Sequence, residues 1–247
     1  MNGGLTIEWD RAGPVVTLRP RGVLDAYVAP DLRAALLEAV AEQCDGVIVD
    51  VSDLTVADEV GLAVLATVAQ QNRHWPGVGM VVAGSSKEFA AAADRMGISA
   101  YVPLCPDRSR ALVTLSELPP PPRRRDRITP DRNAPSAARA AVQEFCAAHG
   151  VDGNTEAAQL IASELVTNAV VHAGTPIDLT LRLLAPLLHI AVRDTGDGQV
   201  RITGLVDESA ESGRGLVLVD ALAASWGTFV PSSGKIVWAT VRVRRAF

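Results

Sequence analysis

The sequence predicts two folded halves, an α/β unit with a largely parallel sheet followed by an α+β sandwich. Three observations carry that prediction. Up to about residue 117, short strand-like runs alternate with helix-like segments, the pattern of a sheet with covering helices. Beyond that, two helical patterns come first and strand-like runs joined by tight turns follow, which groups helices against an antiparallel sheet. Between the halves stand four consecutive prolines, Pro119 to Pro122, which can neither continue a helix nor enter a sheet interior. The expected division is therefore residues 1–117, a Pro/Arg-rich linker at 118–126, and residues 127–247. Arg123, Arg124 and Arg125 suit either a phosphate- or acid-binding patch or a solvated, semi-rigid spacer, and the spacer is the simpler expectation.

In the first half, Val15–Leu18 reads as a strand. Pro30 to Glu42 has helical spacing, with a proline suited to the helix start. Gly46–Asp50 is a short apolar run of the kind a buried strand needs. Val60 to Asn72 is a second helix and Val78–Val82 a third strand. Ser86 to Met96 is a further helix, Tyr101–Val102 a short strand, and Asp107 to Leu115 a final helix. In the second half, Pro135 to His149 and Thr155 to His172 are helical. Ile177–Leu184 and Leu187–Arg193 are strands turned at Ala185–Pro186. A Gly- and Asp-rich loop and a polar stretch to Ser212 follow. A helix over Gly213 to Ala223 precedes two strands, Ser225–Val230 and Lys235–Val243.

Composition excludes several classes. The chain has 247 residues, 48% hydrophobic and 21% charged, with a net charge of -5. An acidic chain lacks the clustered basic footprint of nucleic-acid binders. Cys44, Cys105 and Cys146 are far apart and odd in number, so they suggest buried free thiols and neither a disulfide framework nor a zinc site. The N-terminus has no basic or apolar leader pattern, and no apolar run approaches the ~20 residues of a membrane span. A cytoplasmic protein with no membrane contact is expected.

The stretch Ser163 to His172, SELVTNAVVH, raises a question. Glu164, Asn168 and His172 recur every fourth residue and would stack on one face of an otherwise apolar helix. Two other segments invite grouping with it: Arg193 to Gly198 (RDTGDG) at a strand end, and Ser212 to Leu216 (SGRGL) opening a helix. Each alone is weak, since a glycine pair usually marks a turn. Together and in this order they resemble the nucleotide-binding domain shared by histidine kinases, gyrases, Hsp90-type chaperones and anti-sigma-factor serine kinases. ELVTNAVVHA is similar to that superfamily's N box, DTGDG to its DxGxG box, and GRGL to its second glycine box. The resemblance covers about residues 127 to 245 and looks most like the anti-sigma-factor serine kinases.

That resemblance implies roles. Asn168 would offer its amide oxygen to Mg²⁺, which prefers oxygen ligands. Glu164 would orient or deprotonate an attacking hydroxyl. Asp194 would accept a hydrogen bond from the adenine amino group. Gly196 and Gly198 would let the backbone pass close to the base. Gly213 and Gly215 would let the last loop wrap the phosphates beside a helix start rich in free N–H groups. Arg214 is a phosphate-contact candidate, though a solvated loop arginine is as good a reading. His172 reads as a packed or capping histidine, Lys235 as a solvated hairpin lysine, and Trp226 and Trp238 as core. The segment 199–212 would be a lid over the nucleotide.

The first half resembles the STAS domain of anti-sigma-factor antagonists over about residues 4 to 115, through Val47 to Val68 (VIVDVSDLTVADEVGLAVLATV). Such a domain implies a mixed sheet with covering helices. In that family an Asp-Ser pair opens the helix, and the serine is phosphorylated by the partner kinase. Here Asp58 is followed by Glu59, which cannot accept phosphate. Glu59 is either a partial mimic of phosphoserine at a helix N-terminus or a simple helix cap. The expected whole is an ATP- and Mg-dependent regulator of a partner-switching, sigma-factor pathway. It would be a serine kinase acting on a separate STAS-type antagonist protein, with the fused, degenerate STAS half as regulator. The alternative is a scaffold or anti-sigma factor that binds ATP without transfer. Expected partners are a STAS-type antagonist or a sigma factor, and a homodimer is in keeping with the resemblance.

Overall fold

The computed structural model describes residues 5–11, 13–42, 44–74, 76–117, 121–196, 213–231 and 234–244. The chain forms two compact units, Met1–Pro120 and Pro121–Phe247.

In the first unit the strands are β1 (Thr6–Asp10), β2 (Val15–Leu24), β3 (Gly46–Asp50), β4 (Leu54–Val56), β5 (Gly79–Ala83) and β6 (Leu104–Cys105). The sheet runs β1-β2-β3-β5-β6, with β4 beside the far end of β2. β1 is antiparallel to β2; the remaining pairs are parallel, so the sheet is mixed. The helices are α1 (Ala29–Ala41), α2 (Ala63–His74), α3 (Lys87–Arg95) and α4 (Arg108–Glu117). β3 is apolar from Gly46 to Val49 because both its faces are covered there. Val47 and Val49 join a core with Leu32 and Leu36 of α1, Leu65 and Val68 of α2, and Phe89 of α3. Ile48 turns the other way, to Ala111 and Leu115 of α4.

Two expectations need correction here. The short strand expected at Tyr101–Val102 lies instead at Leu104–Cys105. The N–H groups of Tyr101 and Val102 both turn back to the Ile98 carbonyl, at 2.9 and 3.0 Å, and are spent before they reach a ladder. The helix expected from Val60 starts as a 3₁₀ turn, Glu59–Leu62, and becomes α2 only at Ala63.

The second unit has β7 (Arg123–Ile128), β8 (Ile177–Leu184), β9 (Leu187–Asp194), β10 (Ser225–Phe229) and β11 (Lys235–Arg242), with α5 (Ala134–Ala148), α6 (Thr155–His172) and α7 (Gly213–Leu222). The sheet order is β10-β11-β9-β8-β7 and every pair is antiparallel. Leu179 and Leu181 of β8, Leu188 and Ile190 of β9, and Ala239 and Val241 of β11 share one core with Phe145 of α5, Ile161 and Leu165 of α6, and Val219 of α7. Fully burying a side chain such as Leu165 contributes about 1.5–3 kcal/mol.

The arginine run is not the solvated linker expected of it. Arg123, Arg124 and Arg125 belong to β7, paired residue for residue with β8. The charges are accommodated locally. Arg124 donates to Asp126 at 2.7 Å and to Glu144 of α5 at 2.8 Å, while its stem covers apolar surface. Arg125 donates to Asp178 of β8 at 2.9 Å.

Candidate functional site

α6 owes its place to its apolar faces. Ile161, Ala162, Leu165, Val166 and Ala169 are buried, which fixes the roll of the helix. The remaining strip carries Glu164 and Asn168, both half-buried, and then the exposed His172. Thr167 donates its hydroxyl to the Ser163 carbonyl at 2.7 Å, so it stays within the helix and leaves this strip to Glu164 and Asn168.

α7 approaches the same strip through Gly215. A Cβ at this position would stand 2.5 Å from Glu164 Oε2 and 3.8 Å from Asn168 Oδ1. The glycine therefore admits the first turn of α7 to the acid and the amide of α6. Helix starts present N–H groups without intrahelical partners, and these favour anionic oxygens. At the other end of α7, the Trp226 indole donates to Asp220 at 2.8 Å and packs half-buried against the core, which ties the helix to β10. Trp238 is half-buried over Gly227.

Asp194 ends β9 and is 8% exposed. Burial pushes its carboxyl above the usual carboxylate range; the Gly196 N–H, the Lys235 ammonium and the nearby His172 imidazole oppose that shift. The Gly196 N–H donates to Asp194 Oδ1 at 3.3 Å. Gly196 lies so close to the end of α6 that a Cβ would meet Ala173 Cα at 3.1 Å. The turn holding Asp194 is thus pressed against the end of the helix that carries Glu164 and Asn168.

Three participants were not legible beforehand. Thr175 accepts the Thr195 N–H at 3.2 Å and braces the turn after Asp194. Gly234 has φ +79°, and a Cβ there would run into the Asp194 carbonyl oxygen. Lys235 is not a freely solvated hairpin lysine: it is half-buried and stands opposite Asp194 in the β9–β11 register. A glycine before a lysine at a hairpin signals the turn, but only the strand register shows that both face Asp194. Gly198 and the segment 199–212 lie outside the described residues, as do the surroundings of Gly213 and the Arg214 side chain.

In the first unit, Asp58 and not Glu59 caps the 3₁₀ turn: Asp58 Oδ1 accepts the Val60 N–H at 2.9 Å. Glu59 is exposed and its carboxylate is taken by the Arg95 guanidinium at the end of α3. The hydrogen bond from Arg95 holds the Glu59 carboxyl below the ordinary range. Asp25 is a loop cap, accepting the N–H groups of Tyr27 and Val28 at 2.8 and 3.1 Å.

Among the described residues no cluster of three or more His, Cys, Asp or Glu side chains is placed to hold a metal ion, and no helix is long and apolar enough to cross a membrane. The Asn168 amide oxygen is a donor of the kind Mg²⁺ prefers, an ion that needs few protein ligands because phosphate oxygens and water complete its shell.

Comparison with known proteins finds a separate family match in each unit. Residues 6–111 match the family model of the STAS domain, and residues 128–240 match that of the histidine kinase-like ATPase domain. No curated protein matches the chain. Among solved structures, an anti-sigma factor antagonist from Mycobacterium paratuberculosis is 23% identical, covering 47% of this chain and 97% of its own, with a TM-score of 0.40. The RsbU and RsbW domains of Rv1364c from Mycobacterium tuberculosis are 22% identical, covering 51% of this chain and 34% of theirs, with a TM-score of 0.39. The phosphorylated Bacillus cell fate determinant SpoIIAA is 13% identical, covering 44% of this chain and 99% of its own, with a TM-score of 0.36.

Proposed function

We propose that this chain, a STAS domain followed by a histidine kinase-like ATPase domain, is an ATP-binding regulator of a bacterial partner-switching pathway that controls a sigma factor. In this reading the second unit transfers the γ-phosphoryl group of ATP to a serine on a separate STAS-type protein. The observation that carries it is the convergence at Gly215, where the start of α7 lies against both Glu164 and Asn168. Three segments that are weak signals in isolation are linked through α6: the start of α7 lies against its Glu164 and Asn168, and the turn after Asp194 lies against its end at Ala173.

Each residue then has a task. The buried Asp194 carboxylate accepts a hydrogen bond from the adenine amino group. Gly196 and Gly234 keep the backbone around it free of side chains. Asn168 offers its amide oxygen toward Mg²⁺, and the first turn of α7 receives phosphate oxygens on its N–H groups. Bound Mg²⁺ supplies charge neutralisation on the transferring phosphoryl group. Glu164 takes the proton of the incoming serine hydroxyl as that oxygen bonds to γ-phosphorus. The bond from γ-phosphorus to the bridging oxygen breaks, and its electron pair leaves with ADP.

Glu59 favours a second reading, an ATP-dependent scaffold without transfer. A carboxylate already bonded to Arg95 accepts no phosphoryl group, so residue 59 of this STAS domain is not an acceptor. One experiment separates the two. The protein and its Glu59→Ser variant are incubated with Mg²⁺ and γ-labelled ATP, ATP affinity is measured alongside, and any label is mapped. Label at residue 59 in the variant alone supports the kinase. ATP binding without label in the variant or on an added STAS-type protein supports the scaffold. Absence of ATP binding overturns both.

A further inference from the structure

Among the described residues β7 ends the second sheet on one side, paired with β8 alone. The Leu183 N–H donates to the Pro122 carbonyl at 2.9 Å. With the observed register, this makes Arg124, Asp126 and Ile128 the residues bonded to β8. Alternation in an antiparallel ladder then turns the backbone N–H and C=O groups of Arg123, Arg125 and Arg127 away from β8, toward the open edge. An edge of this length is a ready template for another strand.

The space beside that edge is shaped to take side chains. β7 and α5 enclose a groove of about 330 Å³ with an apolar wall of Ile128, Ala134, Ala137 and Ala141 and a polar rim that includes Arg124, Asp126, Arg127 and Asp131; Asp126 is bonded to Arg124. The local charge is distinctive. Residues 123–132 hold five arginines and two aspartates in a chain whose net charge is -5. Arg127 is exposed and, among the described residues, has no ion pair. The Arg125–Asp178 pair leaves Arg125 55% exposed, and an exposed pair exchanges at small cost.

We propose that the β7 edge is a docking site for an extended acidic segment of a partner protein, added to the sheet as a sixth strand. Its alternate side chains would be small and apolar against the Ile128 and alanine wall of the groove and acidic against Arg125 and Arg127. This is strand addition, in which main-chain bonds give affinity and alternate side chains give specificity. A second copy of this chain is the less suitable occupant. β7 against β7 sets arginine opposite arginine, and like charges directly across a ladder destabilise it. The proposal does not depend on the nucleotide reading, since neither β7 nor the groove includes Glu164, Asn168 or Asp194.

The test uses the full chain and two labelled ten-residue probes, one alternating valine with glutamate and one alternating valine with lysine, followed by fluorescence anisotropy. The expected result is at least tenfold tighter binding of the glutamate peptide, weakening as salt rises. Arg127→Glu should remove that preference. Arg125→Pro deletes an outward N–H and no bond to β8, so it should cost about tenfold more than Arg125→Ala. Melting curves establish that each variant folds; if Arg125→Pro does not, Arg127→Glu alone decides. Equal binding of both peptides, or binding indifferent to these substitutions, overturns the proposal. So does a concentration-dependent dimer of the unaltered chain that Arg125→Pro dissolves, because the edge would then belong to a second copy.

Discussion

Replacing Gly215 by alanine tests the convergence on which the functional reading rests. The new Cβ would stand 2.5 Å from Glu164 Oε2, and to reach the 3.4 Å of ordinary contact the carboxylate must retreat by about 0.9 Å. That atom is the end of a flexible side chain, so the fold can yield cheaply. Alanine also suits a helix better than glycine, by roughly 0.5–1 kcal/mol. Stability should therefore hold or rise slightly. Function should not, because a misplacement of roughly 1 Å in a reacting group costs on the order of 100-fold in rate. The assay pairs a melting curve and ATP affinity with the rate of label transfer or ATP hydrolysis. Expected are an unchanged or higher melting temperature, ATP affinity within about threefold, and a rate about 100-fold lower, some 2.7 kcal/mol in barrier. In a Glu164→Ala background the same glycine substitution should have no further effect, since the two residues act through one contact. Unaltered rate in Gly215→Ala would refute the assignment of Glu164. A melting temperature lowered by many degrees would refute the claim that only a side-chain end has to move.

Two further substitutions bear on Asp194 and its turn. Asp194→Asn should weaken ATP binding by about tenfold or more, because it removes the charge and leaves one acceptor oxygen for both the Gly196 N–H and the adenine amino group; it also bears on the pH dependence of stability. The carboxyl lies above its ordinary value in the folded chain, with burial as the main cause. Its stabilising share is thus fully present below the unfolded value and is lost as pH rises through the folded one. The asparagine variant should show a smaller fall in melting temperature between acid and neutral pH than the unaltered chain; an identical pH profile would contradict the burial account. Gly234→Ala faces both φ +79° and the Asp194 carbonyl oxygen, which is backbone and cannot step aside. A loss of about 1–3 kcal/mol and weakened ATP binding should appear together in thermal and titration measurements, and an unperturbed variant would show that this turn is not held as described.

What could be read in the sequence, and what could not, follows from which signals are local. β3, β5, α1, α5 and α6 were legible because their burial depends on apolar periodicity within a single segment, as at Val47, Ile48 and Val49 or along Ile161, Leu165 and Ala169. The row of Glu164 and Asn168 was legible for the same reason, as polar residues breaking a helical pattern. β1 was missed although Thr6, Ile7, Glu8 and Trp9 alternate in burial, because five residues with two acids carry little weight until β2 pairs with them. Thr175 and Lys235 were illegible as site residues because their positions beside Asp194 come from a loop contact and a strand register, neither of which is periodic.

β7 is the instructive failure. Its RRRDRI reads as linker because formal charge is counted before pairing. Yet an edge strand with one face over a helix needs only alternate positions neutralised or buried. Asp126 and Glu144 neutralise Arg124, Asp178 partners Arg125, and Ile128 enters the core. Charge that would expel a central strand is compatible with an edge and, by setting arginine against arginine, also resists pairing with another copy. The same six residues thus end the sheet and determine what kind of chain can extend it.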